Sequence, residues 1–364
     1  MKPTSSFIFM LLVLPATLQA DYAFFSINTE GSDLRAVKGY DLSANGSIVV
    51  GQAHDYSLGR PVAYMWTAAN GLTDLGRPSG GDYESYAYGI SDDGTTVVGT
   101  SYTHTDGPRA FRWTASTGMQ LLPRFSNDFG NMEYFAEAVS DNGEAIVGWA
   151  SDFSGGGPVA FRWTAADGMQ RLGTSGSAAL DVTPDGAFVV GRSGGQAGYW
   201  DAAGDFTAIV NGGAEGISAD GRFIVGRTTI DSSRQGYRWS REDGVELLLD
   251  PTGAMEVQGA YAVSDDGRFV VGASGLLDES AVYLWDEVNG ARNIGELIEA
   301  AGFTLEPDWI IDEVWSMSED GNTIAISNQG VWLFSGYTIP EPRVYALIAG
   351  LSALGLLRWR HKRA

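Results

Sequence analysis

The chain has 364 residues, a formal net charge of −22 and no cysteine, and these facts exclude several classes of protein. Phosphate backbones repel a body this acidic, so nucleic-acid binding is a poor hypothesis, and multivalent cations or neutral sugars fit the charge better. Without cysteine there are no disulfides and no thiol chemistry. Of three histidines, His361 lies in the C-terminal tail, which leaves too few for a three-histidine site. We predict neither a metal nor a cofactor.

Both ends of the chain carry short apolar runs. Residues 1–20 contain Lys2, an apolar run from residue 7 to 14 and a small Ala20, a pattern typical of a signal peptide. At the other end, a run from residue 344 to 357 is shorter than the roughly 20 residues that a bilayer core requires, and a basic end follows it. The sequence therefore predicts an exported body, residues 21–338, followed by an apolar C-terminal helix within residues 339–364.

A four-residue turn motif, here called the anchor, recurs through the body. Glycine is abundant, 49 of 364 residues, about twice its usual share of roughly 7%. The anchors recur about every 46 residues, a period typical of propellers. They are Ser43-Ala44-Asn45-Gly46, Ser91-Asp92-Asp93-Gly94, Ser140-Asp141-Asn142-Gly143, Thr183-Pro184-Asp185-Gly186, Ser218-Ala219-Asp220-Gly221, Ser264-Asp265-Asp266-Gly267 and Ser318-Glu319-Asp320-Gly321.

Four strands are predicted in each repeat. In repeat two, "AYGI" enters the anchor, "TTVVG" leaves it, "RAFRWT" follows, and a glycine turn leads to "GMQLL". Asp-Gly or Asn-Gly between apolar runs is a strong hairpin signal. We therefore predict an all-β fold, a seven-bladed β-propeller of about 46-residue, four-stranded repeats.

The first and last strands of the body are predicted to pair. Repeat seven ends after Trp332 without a fourth strand, whereas residues 21–28, "DYAFFSIN", form a strand that belongs to no repeat. Pairing them would complete the last blade and close the ring, leaving no open sheet edge.

Two recurring residue types allow a functional and a structural interpretation. One tryptophan per repeat could form sugar-stacking platforms, but packing between neighbouring sheets is the favoured interpretation. The tryptophans are Trp66, Trp113, Trp163, Trp200, Trp239, Trp285 and Trp332. The anchor aspartates could bind a cation, but Asp and Asn in turns usually hydrogen-bond their own backbone, and no stretch matches a calcium loop.

Loops of variable length are predicted to share one face of the ring, opposite the anchors. Binding surfaces are often built on such loops, although loops simply anchored by a few aromatic residues are the competing interpretation. The candidate residues are His54, Tyr56, Tyr83, Tyr86, His104, Asp128, Tyr134, Phe153 and Trp309. Aromatic side chains beside carboxylates suit carbohydrate stacking and hydrogen bonding.

A nucleophilic triad would have to use His54 or His104, and neither lies near a Gly-x-Ser-x-Gly turn in the sequence; a phosphate-binding loop of the GxxxxGK kind is also absent from it. We therefore predict that the protein is not an enzyme. The alternative is a polysaccharide-acting enzyme with a carboxylate pair on the variable face, because glycoside cleavage needs only two carboxylates at a set separation.

The repeat "AYGISDDGTTVVGTS…GPRAFRWTASTGMQLL" resembles the HAF-type extracellular repeat, from about residue 36 to 335. Repeat four departs from it at Thr183-Pro184. The tail, residues 339–364, looks like a PEP-CTERM sorting signal, with Pro340, Glu341 and Pro342 before the apolar run and the basic end. The first resemblance implies an exported repeat protein with no common reaction.

The second resemblance implies a transient anchor in the inner membrane of a Gram-negative bacterium, cleaved by an exosortase-type enzyme. The body would then reach the cell surface or an exopolysaccharide matrix. A plain membrane anchor is the alternative. By these resemblances, we expect a non-enzymatic binding or structural module with exopolysaccharide as a partner.

Overall fold

A computed structural model of the chain describes residues 22–28, 32–78, 84–103, 107–126, 128, 132–151, 157–276, 279–305, 311, 313–328 and 330–336. Residues Ala23–Ser335 form one compact unit. Its described residues form a propeller-like all-β fold of antiparallel sheets with one short helix. The predicted signal peptide, the apolar C-terminal helix and the Pro340-Glu341-Pro342 motif lie outside the described residues.

Strands are numbered along the chain, and each repeat contributes strands in the same order, from the innermost to the outermost. The innermost strands are β2 (Leu34–Leu42), β6 (Ser85–Ile90), β10 (Glu133–Val139), β14 (Ala178–Val182), the second half of β17 (Phe206–Ile217), β21 (Glu256–Val263) and β25 (Glu313–Met317). The second strands are β3 (Ile48–Asp55), β7 (Thr96–Thr103), β11 (Ala145–Ser151), β15 (Val189–Ser193), β18 (Phe223–Ile230), β22 (Phe269–Leu276) and β26 (Thr323–Ser327).

The third and outermost strands complete the sheets. The third strands are β4 (Arg60–Thr67), β8 (Gly107–Thr114), β12 (Val159–Thr164), β16 (Gln196–Trp200), β19 (Ser233–Ser240), β23 (Glu279–Asp286) and β27 (Val331–Ser335). The outermost strands are β5 (Gly71–Asp74), β9 (Gly118–Leu121), β13 (Gly168–Arg171), the first half of β17, β20 (Gly244–Leu247), β24 (Gly290–Asn293) and β1 (Ala23–Ser26).

The predicted closure by the N-terminal strand is confirmed. β1 pairs antiparallel with β27, with Ala23 opposite Ser335 and Ser26 opposite Trp332. Phe24 stacks on Trp332 with 5.1 Å between ring centroids. The sheet of repeat seven also joins that of repeat one, because the Glu319 N–H donates to the Ala44 carbonyl at 3.0 Å. The sheets therefore follow one another in a closed ring.

The predicted set of seven separate four-stranded blades is wrong in one respect. Within the described part of the body there are five four-stranded sheets, while repeats four and five form one seven-stranded sheet. The shared strand, β17, pairs with β16 up to Asn211 and with β18 from Gly212 onward. The two anchor glycines here, Gly186 and Gly221, are only 35 residues apart. The chain therefore passes from the outer strand of one repeat to the inner strand of the next without a loop.

One helix, α1 (Ile294–Ala300), interrupts the predicted all-strand body between repeats six and seven. The Asn293 side chain caps it by accepting the Gly295 N–H at 2.7 Å, and Ile294 and Ile298 are buried. Among the residues described, no helix has the length and apolar character needed to cross a membrane.

The repeated tryptophans pack between sheets, which confirms their structural interpretation. Trp66, Trp200 and Trp285 are 8%, 0% and 4% exposed. Trp113 and Trp163 pack at the edges of two further apolar clusters. Because each sheet buries both faces against its neighbours, the apolar core is spread around the ring.

Candidate functional site

The anchors use their first and third residues to hold the turn. In repeat two the Ser91 Oγ donates to Asp93 Oδ1 at 2.7 Å and accepts the Thr96 N–H at 3.0 Å, and Asp93 also accepts the Thr95 N–H. The other six anchors repeat these bonds. The structural interpretation is therefore confirmed for the Asp and Asn at the third anchor position, and of the polar anchor residues only those at the second position do not take part in these bonds.

Every innermost strand carries a β-bulge three residues before the first anchor residue. In repeat two the register shifts between Ala87 and Gly89, so Tyr88 has no partner on β7. The corresponding shifts in the other six repeats leave one residue unpaired in each. A bulge re-aims its extra side chain, and here it directs one side chain per repeat toward the centre of the ring.

Those seven bulge residues enclose one cavity of about 260 Å³ on the ring axis, here called the cup. Its lining comprises Tyr40, Tyr88, Glu137, Leu180, Glu215, Tyr261 and Trp315. Repeats six, seven, one and two contribute the four aromatic rings as one continuous arc. Repeats three, four and five contribute the two glutamates and a leucine opposite. The cup is therefore aromatic on one side and acidic on the other.

Residues of the second strands orient the bulge side chains. The Trp149 Nε1–H donates to Glu137 at 2.7 Å, and the Arg227 guanidinium forms an ion pair with Glu215 at 3.1 Å. Tyr40 donates its hydroxyl proton to Gln52 at 3.4 Å. Gln52, Trp149 and Arg227 occupy the same position, directly after the glycine of the "VVG", "IVG" and "IVG" strands. Burial raises the pKa of Glu137 to about 7, while the Trp149 hydrogen bond opposes that shift.

Second anchor residues form an acidic mouth beside the cup. Asp92, Asp141, Asp265 and Glu319 lie here, in a cavity of about 200 Å³ that also reaches the bulge residues. Burial raises the pKa of Asp92 to about 7, and burial with the neighbouring Asp92 carboxyl raises the pKa of Glu319 to about 8. Like charges in close contact cannot all ionise at neutral pH, so the mouth carries fewer negative charges than its four carboxyls suggest.

Three mouth residues are the ones that could hold a cation. Carboxylate oxygens of Asp92, Asp141 and Glu319 lie within 4.8 Å of one another. Calcium takes about six to eight oxygen ligands, so other oxygens would have to complete such a site.

Buried aspartates join neighbouring repeats next to the mouth. Asp41 accepts the Ile90 N–H at 2.9 Å, and Asp181 accepts the Ile217 N–H at 2.9 Å. Ser316 donates to Asp41 at 2.8 Å. Burial raises the pKa of Asp41 to about 6 and that of Asp181 to about 7. The hydrogen bonds of these two carboxyls therefore link neighbouring repeats of the ring.

Comparisons with known proteins support the propeller-like architecture. Neither a protein-family model nor a curated protein matches the chain. An oligogalacturonate lyase from Vibrio parahaemolyticus aligns at a TM-score of 0.58 with 11% identity over 88% of this chain and 97% of its own. An oligogalacturonate lyase in complex with manganese aligns at 0.55, with 12% identity over 88% and 93%. Hydrazine synthase from Kuenenia stuttgartiensis aligns at 0.53, with 12% identity over 86% and 100%.

This chain and the three aligned proteins are similar in fold. At 11–12% identity, shared architecture does not carry an activity from one protein to another.

Those variable-face candidates that the structure describes form separate small groups. His54 and Tyr56 contact each other with 4.8 Å between ring centroids, and Tyr56 is 60% exposed. Tyr86 stacks on Tyr88 of the cup, with centroids 6.2 Å apart. Tyr83, His104, Phe153 and Trp309 lie outside the described residues.

Two candidates on repeat three belong to the core instead of a binding surface. Tyr134 is 1% exposed, donates its hydroxyl proton to Asp128 at 2.9 Å and accepts the Phe125 N–H. Asp128 in turn pairs with Arg124 at 3.1 Å. These groups satisfy one another beneath the surface, and their ligand-binding role stays a prediction.

The sequence contained a signal for the cup, which the predicted variable face missed. A Cβ at Gly99, the glycine of "TTVVG", would lie 1.9 Å from the Tyr86 carbonyl. The bulge pushes that carbonyl onto the neighbouring strand, so the recurrent glycine marks a bulge. The bulge residue is aromatic or acidic in every repeat except repeat four, which has Leu180.

A second cavity, about 460 Å³, opens between repeats four and five. Phe188 and Tyr199 line one wall and Trp239 the other. At Gly267 a Cβ would lie 2.3 Å from Phe223 of the preceding repeat, whereas at Gly221 the nearest atom is 3.5 Å away. Adjacent sheets therefore pack less tightly where β17 joins the two repeats.

Proposed function

We propose that the chain is an exported, non-enzymatic binding module of the cell surface or exopolysaccharide matrix, with a saccharide ligand in the cup. The two halves of the seven-stranded sheet act as two blades, which makes the ring seven-bladed. The observation that carries the proposal is the cup itself, in which four aromatic rings face two glutamates across one cavity.

Aromatic faces and carboxylates together suit sugars. Rings such as Trp315 present a flat apolar face to the C–H side of a pyranose, and carboxylates such as Glu137 accept hydrogen bonds from its hydroxyls. The acidic cup and mouth disfavour a polyanion, so an oligogalacturonate, named for two proteins of similar fold, is a poor ligand here.

Export and sorting rest on the ends of the chain. Residues 1–20 act as the signal peptide, and an exosortase-type enzyme processes the tail at Pro340-Glu341-Pro342 after transient association with the inner membrane. Deleting residues 339–364 should reduce surface delivery, measured by cell fractionation and surface labelling. Unchanged surface delivery would count against sorting, and permanent retention of an intact tail in the membrane would indicate a plain anchor.

A glycan array of the full chain tests binding, and two variants locate the site. Trp315→Ala removes a ring of the cup, whereas Tyr56→Ala removes an exposed ring of the variable face. We expect bound sugars to be lost with Trp315→Ala and kept with Tyr56→Ala. The reverse pattern would move the site to the variable face, and silence on every sugar would refute carbohydrate binding.

A polysaccharide-acting enzyme is the second candidate. The mouth favours it, because Asp92 and Glu319 are close carboxyls with raised pKa values, so one can hold a proton at neutral pH while its neighbour is ionised. Reducing-end release from a glycan panel by the full chain, lost in Glu319→Gln, would establish this activity. Binding without release supports the non-enzymatic module.

A further inference from the structure

Both sides of the cup favour a positively charged ligand. Its aromatic arc is closely packed, with ring centroids 5.1 Å apart between Tyr40 and Tyr88 and 4.8 Å apart between Tyr261 and Trp315. Aromatic faces carry partial negative charge and attract cations. The rings and the two glutamates opposite them therefore favour the same sign of charge in the ligand.

Three glutamates near the axis differ in how their charge is balanced. Glu313 pairs with Lys38 at 2.7 Å, and Glu215 pairs with Arg227 at 3.1 Å. Among the residues that the structure describes, no arginine or lysine forms an ion pair with Glu137, whose hydrogen-bond partner is the neutral Trp149 indole. When ionised, Glu137 holds a negative charge in the cup that a bound cation would neutralise.

The size of the cavity limits the cation to a compact group. About 260 Å³ is the share of roughly nine water molecules in the liquid, which is enough for one sugar ring or a small alkylammonium group. Acidic residues at the adjoining mouth, such as Asp141 and Asp265, would attract a cation on its way in.

We infer that the cup binds a protonated amino group carried on a sugar ring, with Glu137 as the ionic partner and the aromatic arc against the ring and its ammonium. This assignment rests on the proposed function and narrows its substrate class to amino sugars with a free amine. An ammonium satisfies the carboxylate and the aromatic faces together, whereas a neutral N-acetyl group satisfies only stacking and hydrogen bonds.

Calorimetric titration of the full chain with the β-1,4 tetrasaccharide of glucosamine, its fully N-acetylated counterpart and tetralysine tests the assignment at one pH and low salt. We expect the glucosamine tetrasaccharide to bind about tenfold or more tightly than the acetylated one. Glu137→Gln should remove that preference, so that the variant binds the two tetrasaccharides with similar affinity. Glu299→Gln, an exposed helix position, is the matched control and should change neither affinity.

Each other outcome has a separate meaning. Equal or tighter binding of the acetylated sugar overturns the amino-sugar assignment while the proposed saccharide function survives. Tetralysine binding as tight as the glucosamine tetrasaccharide, with loss in Glu137→Gln, also overturns it, because the cup would then recognise an amine without a sugar. An absence of binding to either saccharide overturns this assignment, and silence across the glycan array would remove the proposed function as well.

Discussion

Replacing Glu137 by glutamine should make the protein more stable at pH 8 and leave its stability nearly unchanged at pH 4. Burial raises the pKa of Glu137 from 4.5 to about 7. A carboxyl whose pKa is higher in the folded state favours folding while protonated, and this contribution is lost as the pH rises through the folded pKa. Glutamine keeps an oxygen for the Trp149 indole and removes the charge.

The size of the effect follows from that pKa difference. One pKa unit corresponds to about 1.4 kcal/mol, so the full shift is worth about 3 kcal/mol. Glu137 lines a cavity of about 260 Å³, which is large enough to hold water that would lower the cost of ionisation, and the new amide needs a partner of its own. We therefore expect Glu137→Gln to raise the free energy of unfolding by about 1 to 3 kcal/mol at pH 8.

Urea unfolding of the wild-type chain and Glu137→Gln at pH 4, 5, 6, 7 and 8 measures this difference directly. The gap between the two proteins should grow from about pH 4.5 to pH 8, most steeply near pH 6, between the unfolded and folded pKa values, and should level off above pH 7. Glu299→Gln, with its exposed side chain, should show no such trend. A gap that is independent of pH, or a variant less stable at pH 8 than the wild type, would show that ionisation of Glu137 does not destabilise the folded protein.

Three pairs of substitutions test the ring. Phe24→Ala removes the ring stacked on Trp332 and should lower the free energy of unfolding by about 1 to 3 kcal/mol. The neighbouring Phe25, which is 42% exposed, should tolerate alanine. Equal losses of stability in urea unfolding would argue against β1 as the closing strand. Gly267→Ala and Gly221→Ala both place alanine at positive φ, +71° and +69°, but only the alanine at 267 would meet a neighbouring ring, at 2.3 Å. The melting temperature should therefore fall further in Gly267→Ala. A larger fall in Gly221→Ala would refute the looser packing between repeats four and five. Ser316→Ala removes a bond to Asp41 at 2.8 Å between repeats seven and one and should cost about 1 to 3 kcal/mol, with the exposed Ser47→Ala as control; no loss would show that this bond is dispensable.

The repeats could be predicted from the sequence because the turn motif depends only on residues close together in the chain. Ser-x-Asp-Gly followed by an apolar strand fixes a hairpin wherever it occurs. The missing strand of repeat seven predicted that residues 21–28 complete its sheet, and the structure adds the register, with Ala23 opposite Ser335. The single sheet formed by repeats four and five was harder to predict. The short spacing between Gly186 and Gly221 was visible, but a lost loop and a lost strand look alike in a sequence, and only the pairing of β17 on both sides distinguishes them.

The cup was missed because a bulge breaks the period of two on which strand predictions depend. Tyr88 interrupts the alternation of β6, so its direction could not be inferred by counting. Loop length pointed to Tyr134 and Asp128, although their hydroxyl and carboxyl groups satisfy each other in the interior. The convergence of Asp92, Asp141 and Glu319 depends on distances across the ring, which no local pattern encodes.

The pairing of β1 with β27 also has a consequence for synthesis. Ser26 and Val331, which make contact in the finished sheet, are 305 residues apart. The first strand therefore leaves the ribosome long before its partner exists, and contacts of such long range form slowly. Until then an unpaired edge is exposed on each end of the nascent body, and such edges attract other chains. In a protein built this way, both edges stay open to wrong pairing until the last strand has emerged.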